Sequence, residues 1–98
     1  MAAEDERSHA ALKDLRRIPG IGQSLAHDLL DLGFSRVESL AGEDPEAMYD
    51  ELCRMRGAHI DRCVLYTFRC AVYFASQTDH EPELLKWWNW KNTATAKP

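Results

Sequence analysis

Several features common in small proteins are missing from this chain. No stretch alternates apolar and polar residues for long enough to predict a β-strand, so we expect an all-α fold. The three cysteines lack the close, repeated spacing of a disulfide scaffold. No basic and apolar leader opens the chain, and its most apolar stretch, residues 63–75, is too short to span a bilayer. We therefore expect a cytoplasmic protein with reduced thiols and no membrane contact.

Patterns typical of catalysis or of metal binding are also missing. No Ser-His-acid arrangement, paired carboxylates or nucleotide-binding loop emerges, so we expect no enzyme, no cofactor and no small-molecule substrate. Cys53, His59, Cys63 and Cys70 are four candidate zinc ligands, but Cys63 and Cys70 lie two turns apart, roughly 10 Å along a helix axis. Reduced cysteines on apolar helical faces are more often small core residues, and no metal is expected.

The charges are unevenly distributed. The formal net charge of −4 disfavours nucleic-acid binding, which gains affinity from neutralised phosphates. Residues 7–17, however, carry four basic side chains against Asp14 alone, whereas residues 28–61 carry nine acids against three arginines. The basic stretch lies just before the glycine-containing turn described below, although a mixed-charge solvated face is the commoner meaning of such a run.

Helix signals predict one domain over residues 8–91, between disordered tails at residues 1–7 and 92–98. About five to six short helices are expected. Ser8 caps the first predicted helix and Pro19 ends it, and the second runs from Ser24 to Leu32 with Gly33 as its C-terminal cap.

Ser35 and Glu38 form a capping box for a short helix, and Asp44-Pro45 and Gly57 bound the next one. Asp61 precedes a central, buried helix from Arg62 to about Ser76, and Glu81-Pro82 precedes a last helix that carries Trp87, Trp88 and Trp90.

An internal repeat is visible when the chain is shifted by 37 residues, a shift that superimposes Gly20 on Gly57 and Leu15 on Leu52. It predicts a degenerate tandem pair of helical hairpins, although any two amphipathic helix pairs align at some offset. The second copy has Arg56 and His59 in place of the proline and the second glycine, so we do not expect its loop to present amides in the same way.

The turn Pro19-Gly20-Ile21-Gly22 has a spacing suited to anion binding. Two glycines permit a tight turn and the close approach of a phosphate, while the first N–H groups of the following helix carry the positive end of its dipole. Ile21 is expected to anchor the turn in the core. Such a group of backbone amides would contact the phosphate backbone of a nucleic acid rather than its bases, so binding would be independent of the nucleotide sequence.

These residues, with the apolar stripes on both sides of the turn, resemble the helix-hairpin-helix (SAM-like) family of DNA-binding motifs. A longer resemblance, from about Leu12 to Lys91, rests on residues 61–66, 68–73 and 82–91 and points to the bacterial pathogenicity-locus family, some of whose members carry a mitomycin-resistance label. That resemblance implies the fold but little about function.

Two interpretations of the turn remain open. DNA-binding members of the motif family commonly have Lys, Arg or Thr just after the turn, whereas this chain has Gln23 and Ser24, with Asp28 one turn later. The Ser24 hydroxyl and either Arg16 or Arg17 remain available to a phosphate. In the other interpretation the glycines serve only close helix packing.

The leading hypothesis is therefore a sequence-independent DNA contact through Gly20, Ile21, Gly22, Ser24 and Arg16 or Arg17, in an accessory module for DNA repair or maintenance. The alternative is a protein-interaction domain or homodimer that uses the acidic surface or the three tryptophans. Three indoles within four residues cannot all face one side of a helix, so we expect one of them to be partly exposed unless they close a small core.

Overall fold

The computed structural model describes residues 2–91, with side chains described from Ser8 onward. This part of the chain contains four α-helices, three 3₁₀ helices and no strand, which confirms the predicted all-α class. The helices are α1 (Ala2–Leu15), α2 (Gln23–Asp31), α3 (Pro45–Arg56) and α4 (Cys63–Ser76); the 3₁₀ helices are Val37–Leu40, Pro82–Leu85 and Trp87–Trp90. The predicted tail at residues 92–98 lies outside the described residues.

Several helix boundaries follow the signals in the sequence. Asp44 caps α3, because its carboxylate accepts the N–H of Glu46 at 3.0 Å, and Pro45 occupies the first turn. Gly57 ends α3 in the left-handed region with φ +65°. Gly33 follows α2 with φ +101°, and the N–H of the next residue, Phe34, bonds back to the carbonyl of Leu29. Helix α3 therefore begins and ends at the predicted signals, and helix α2 ends at the predicted glycine.

Three local predictions were wrong. Helix α1 begins at Ala2, six residues before the predicted cap at Ser8. The Ser35–Glu38 capping box does not form, because the N–H of Val37 donates instead to the Asp14 carboxylate at 2.8 Å. The predicted last helix is two 3₁₀ helices separated by Lys86, which has extended backbone (φ −97°, ψ 113°).

The core gathers around α4. Buried residues follow one another along its middle from Thr67 to Ala71, so most of its circumference is covered, as predicted for a central helix. Helices α1, α2 and α3, the loop between α1 and α2, and the 3₁₀ helix Val37–Leu40 supply the rest of one apolar cluster. Its buried members are Leu15, Ile18, Ile21, Ala26, Leu29, Val37, Leu40, Met48, Tyr49, Leu52, Leu65, Phe68 and Ala71.

Residues 77–91, here called the C-terminal segment, fold back along α4 and are tied to it by polar contacts. The carbonyl of Leu84 accepts the Trp90 indole N–H at 2.8 Å and lies 3.5 Å from the Cys70 sulfur. The carbonyl of Trp90 accepts from the Arg69 guanidinium at 2.7 Å. The segment is therefore fixed near its end as well as where it leaves α4.

Arg69 is the charged side chain at the centre of this arrangement and is only 6% exposed. Its guanidinium also donates to the Glu46 carboxylate at 3.1 Å and lies 5.5 Å from the centre of the Tyr66 ring. Arg69 therefore connects α4 to α3 through Glu46 and to the C-terminal segment through Trp90. Loss of either partner is costly, because it leaves a buried charge incompletely compensated.

Within the part of the chain that the structure describes, no helix combines the length and apolar character needed to cross a membrane.

Thiol reactivity tests the docking of the C-terminal segment. Burial raises the pKa of the Cys70 thiol to about 11. Since the thiolate is the reactive form, we expect Cys70 in the folded protein at pH 8 to react with iodoacetamide at least about a hundredfold more slowly than an unperturbed thiol. Mass spectrometry of time points measures the rate at each cysteine, with half-buried Cys53 as the internal comparison. All three cysteines should react alike in denaturant; equal rates in the folded protein would show that the segment does not cover Cys70.

Candidate anion-binding site at the start of helix α2

The loop formed by residues 16–22 joins α1 to α2 through a series of tight turns. The N–H of Ile18 donates to the Leu15 carbonyl at 3.2 Å, and the N–H of Ile21 donates to the Ile18 carbonyl at 3.1 Å. Both isoleucines are buried, at 1% and 5% exposure. Ile21 therefore anchors the loop in the core as predicted, but its own N–H is already used within the loop.

Gly20 is required by the fold for two reasons. Its φ of +87° lies in the region that side-chain-bearing residues rarely adopt. A Cβ at this position would lie 3.1 Å from Cδ1 of Trp87 and 3.6 Å from Cγ2 of Thr67. The close-packing interpretation of the glycines therefore applies at Gly20, and the residue that packs there comes from the C-terminal segment.

Gly22 differs from Gly20 in both respects. Its backbone is extended, with φ −90° and ψ −169°, a conformation open to any residue. A Cβ built on it would meet no atom within 4 Å. Neither backbone geometry nor packing explains a glycine here, and its bare surface lets another molecule approach the start of α2 closely.

The first turn of α2 leaves its N–H groups unused. Gly22 is the N-cap and makes no side-chain cap hydrogen bond, and the first helical bond runs from the Ala26 N–H to the Gly22 carbonyl at 2.9 Å. Among the described residues, no acceptor binds the N–H groups of Gly22, Gln23, Ser24 or Leu25, and the first turn holds no acid. The positive end of the α2 dipole therefore faces solvent without a counter-charge from the protein.

Three other helix starts contrast with this one because each is bonded to a carboxylate of the chain. Asp44 caps α3 as described, and Asp61 accepts the Cys63 N–H at 2.9 Å at the start of α4. Asp14 accepts the Val37 N–H of the first 3₁₀ helix. The second copy of the predicted repeat thus has an occupied helix start where the first has an open one.

The two candidate arginines have different surroundings. Arg17 forms an ion pair with Asp14 at 2.8 Å. The Val37 N–H, together with Arg17, lowers the pKa of the Asp14 carboxyl, which stays ionised at neutral pH. Arg16 is exposed and has no ion-pair partner among the described residues. A shallow depression at the end of α1 is lined by both arginines together with Ala10, Lys13 and Asp14. Of the two, Arg16 is therefore the arginine whose charge is not already paired within the described residues.

Asp28, the acid one turn after the start of α2, is paired within the fold. Arg56 at the end of α3 bonds to Asp28 at 2.6 Å and to Asp31 at 2.8 Å. Two carboxylates on α2 thereby share a guanidinium, which reduces the repulsion they exert on an anion near the start of the helix.

Sequence reasoning located the turn and the start of the helix that follows it, but not the contact between Gly20 and Trp87. It assigned phosphate to the amides of Gly20, Ile21 and Gly22 and to the first N–H groups of the following helix. The N–H of Ile21 is used within the loop, whereas those from Gly22 to Leu25 have no acceptor among the described residues. The available signal in the sequence was a glycine at the residue before α2, because glycine has no side chain with which to cap the helix. The contact of Trp87 with Gly20, which is 67 residues away, has no local signal in the sequence.

The candidate zinc ligands are not brought together. Within the described residues, no group of three or more His, Cys, Asp or Glu side chains is positioned to hold a metal ion.

A family model described as pathogenicity locus matches residues 8–96. Because the match covers most of the chain, the protein belongs to the pathogenicity locus family. The resemblance to this family, seen in the sequence from about Leu12 to Lys91, is thereby confirmed.

One curated relative is a Streptomyces lavendulae protein named mitomycin resistance protein McrB. It is 27% identical over 77 residues, which cover 79% of this chain and 70% of that protein. No solved structure gives a significant match to the chain.

A pair of glycine substitutions tests the contact between the loop and the C-terminal segment. Gly57→Ala introduces a left-handed alanine into open space and should cost about 1 kcal/mol of unfolding free energy. Gly20→Ala adds the contact with Trp87 and should cost at least about 1 kcal/mol more. Urea denaturation measures both values. The excess should shrink when Trp87→Ala is combined with Gly20→Ala; equal costs for the two single variants would contradict the packing described.

Proposed function

We propose that this protein is a helix-hairpin-helix, SAM-like module that binds the phosphate backbone of DNA without reading its sequence. The N–H groups of Gly22, Gln23 and Ser24 hold a phosphate oxygen, the Ser24 hydroxyl donates a further bond, and Arg16 supplies positive charge. The module acts by binding and not by catalysis. An accessory role in DNA repair or maintenance, in a bacterial cytoplasm, belongs to the same proposal.

The observation that carries the proposal is the uncapped start of α2 at a glycine that the fold does not need. A helix start with several free N–H groups and no nearby acid is a general anion-binding arrangement. Backbone N–H groups recognise phosphate but no base edge, which accounts for a contact independent of sequence.

The charge distribution supports the same location. Helix α3, helix α4 and the first 3₁₀ helix begin at a carboxylate of the chain, so α2 is the start among these four where an outside anion meets no competitor. The net charge of −4 limits affinity but does not remove this local preference. We propose that the two helical hairpins are a tandem pair in which only the first retains phosphate contact.

A protein-interaction function is the second candidate, because Trp88 is 54% exposed. Trp87 and Trp90 pack against the protein's own residues, so a partner protein or a second copy would use Trp88 first.

Gly22→Asp separates anion binding from folding. Aspartate is a better N-cap than glycine, so the variant should be as stable as the wild type or a few tenths of a kcal/mol more stable. Its carboxylate would occupy the free N–H groups and repel phosphate, lowering duplex-DNA affinity at low salt by about tenfold. Fluorescence anisotropy with labelled DNA measures affinity, and thermal melting measures stability.

The two arginines provide a matched comparison in the same experiment. Arg16→Ala should weaken binding and lower the slope of log affinity against log salt by about one, while Arg17→Ala should change both less because Arg17 is paired with Asp14. Absence of DNA binding by the wild type at low salt, or an unchanged affinity in Gly22→Asp, would contradict the proposal.

A further inference from the structure

Trp88 is an unusual surface residue in this fold. Among the Phe, Tyr and Trp residues that the structure describes, it alone exposes more than half of its surface to solvent, at 54%. Its indole N–H has no hydrogen-bond partner within the described chain. Tryptophan is enriched at binding surfaces, because its ring offers a large apolar face and its N–H a hydrogen-bond donor, so Trp88 is a candidate contact residue.

The side chains beside Trp88 are fixed by the protein itself. Trp87 packs on Gly20, and Asn89 donates to the Glu83 carbonyl at 2.7 Å and to the Glu83 carboxylate at 3.2 Å. Trp90 donates its indole N–H to Leu84. Trp88 is therefore held on a short, well-anchored 3₁₀ helix and is pre-organised to present its ring outward.

The position of Trp88 relates it to the start of α2. Its ring meets that of Trp87 edge-on, with centres 5.7 Å apart, and Trp87 in turn contacts Gly20, two residues before the unused N–H groups begin. On the same segment, Lys86 forms an ion pair with Glu83 at 3.1 Å, whereas Lys91 is exposed and has no ion-pair partner among the described residues. The exposed indole is thus joined through Trp87 to the loop that leads into the candidate phosphate site.

We infer that Trp88 stacks on an unpaired base of single-stranded nucleic acid whose backbone is held at the start of α2. This inference rests on the proposed function and specifies its substrate class. Stacking on an aromatic ring tolerates any base but needs a base face that is free. In a duplex those faces are covered by neighbouring base pairs, so Trp88 adds affinity for single strands only.

The experiment compares two probes, a labelled oligothymidylate of about 16 nucleotides, the upper size of a typical single-strand site, and a duplex of equal length. Trp88→Ala should lower single-strand affinity by about tenfold and duplex affinity by less than about twofold. Trp88→Phe should keep most of the single-strand affinity, because a phenyl ring still stacks. Met55→Ala, at an apolar residue 43% exposed on α3, is the matched control and should change neither affinity.

Gly22→Asp serves as the reference for the proposed function and should weaken binding to both probes. If Trp88→Ala lowers both affinities equally, or lowers neither while Gly22→Asp lowers both, the stacking inference is wrong and the phosphate site stands. If the wild type binds neither probe, both proposals fail. Sedimentation velocity on the same samples decides the remaining case: a dimer lost in Trp88→Ala, with unchanged single-strand affinity, would show that Trp88 contacts a second copy and would overturn the inference.

Discussion

The contact between Trp87 and the bare Cα of Gly20 is the constraint on which the rest of the structure depends. It joins the last 3₁₀ helix to the loop that begins the second helix, and it requires a glycine in the left-handed region at this position. Ile21, the residue after Gly20, is buried in the core. With Gly20 packed on one side and Ile21 buried, the loop delivers Gly22 and the first turn of α2 to the surface in one conformation.

That conformation has an electrostatic consequence. Carboxylates of the chain bind the first N–H groups of α3, α4 and the first 3₁₀ helix, and Arg56 pairs the acids on α2. The fold therefore uses several of its acidic side chains internally and leaves α2 uncapped. An acidic protein can in this way keep a local preference for anions, because a free helix start acts over a short range and net charge acts over a long one.

The sequence predicted most of the framework because its boundary signals are local. Pro45, Gly33 and Gly57 act on the residues next to them, and the structure places helix ends where these residues predict. The apolar circumference of α4 likewise predicted a central helix. Two of the three wrong predictions concern places where distant residues decide the outcome.

Two failures illustrate this limit. Ser35 did not form its capping box because Asp14, 23 residues before Val37, binds that helix start instead. The predicted tryptophan helix is instead two 3₁₀ helices. The carbonyl of Trp90 accepts from Arg69 on α4, and the Trp90 indole N–H donates to Leu84 of the preceding 3₁₀ helix. The candidate site was found only in part for the same reason: the glycine turn is visible in the sequence, whereas the indole that distinguishes Gly20 from Gly22 comes from the far end of the chain.

The central claim is that the N–H groups at the start of α2 are free for a phosphate. Backbone amide NMR shifts recorded during titration with inorganic phosphate, and then with a short oligonucleotide, test it most directly. The account predicts saturable shifts at Gly22, Gln23, Ser24 and Leu25, with little change at the capped residues Glu46 and Cys63. Shifts at the capped starts alone, or none at α2, would contradict it.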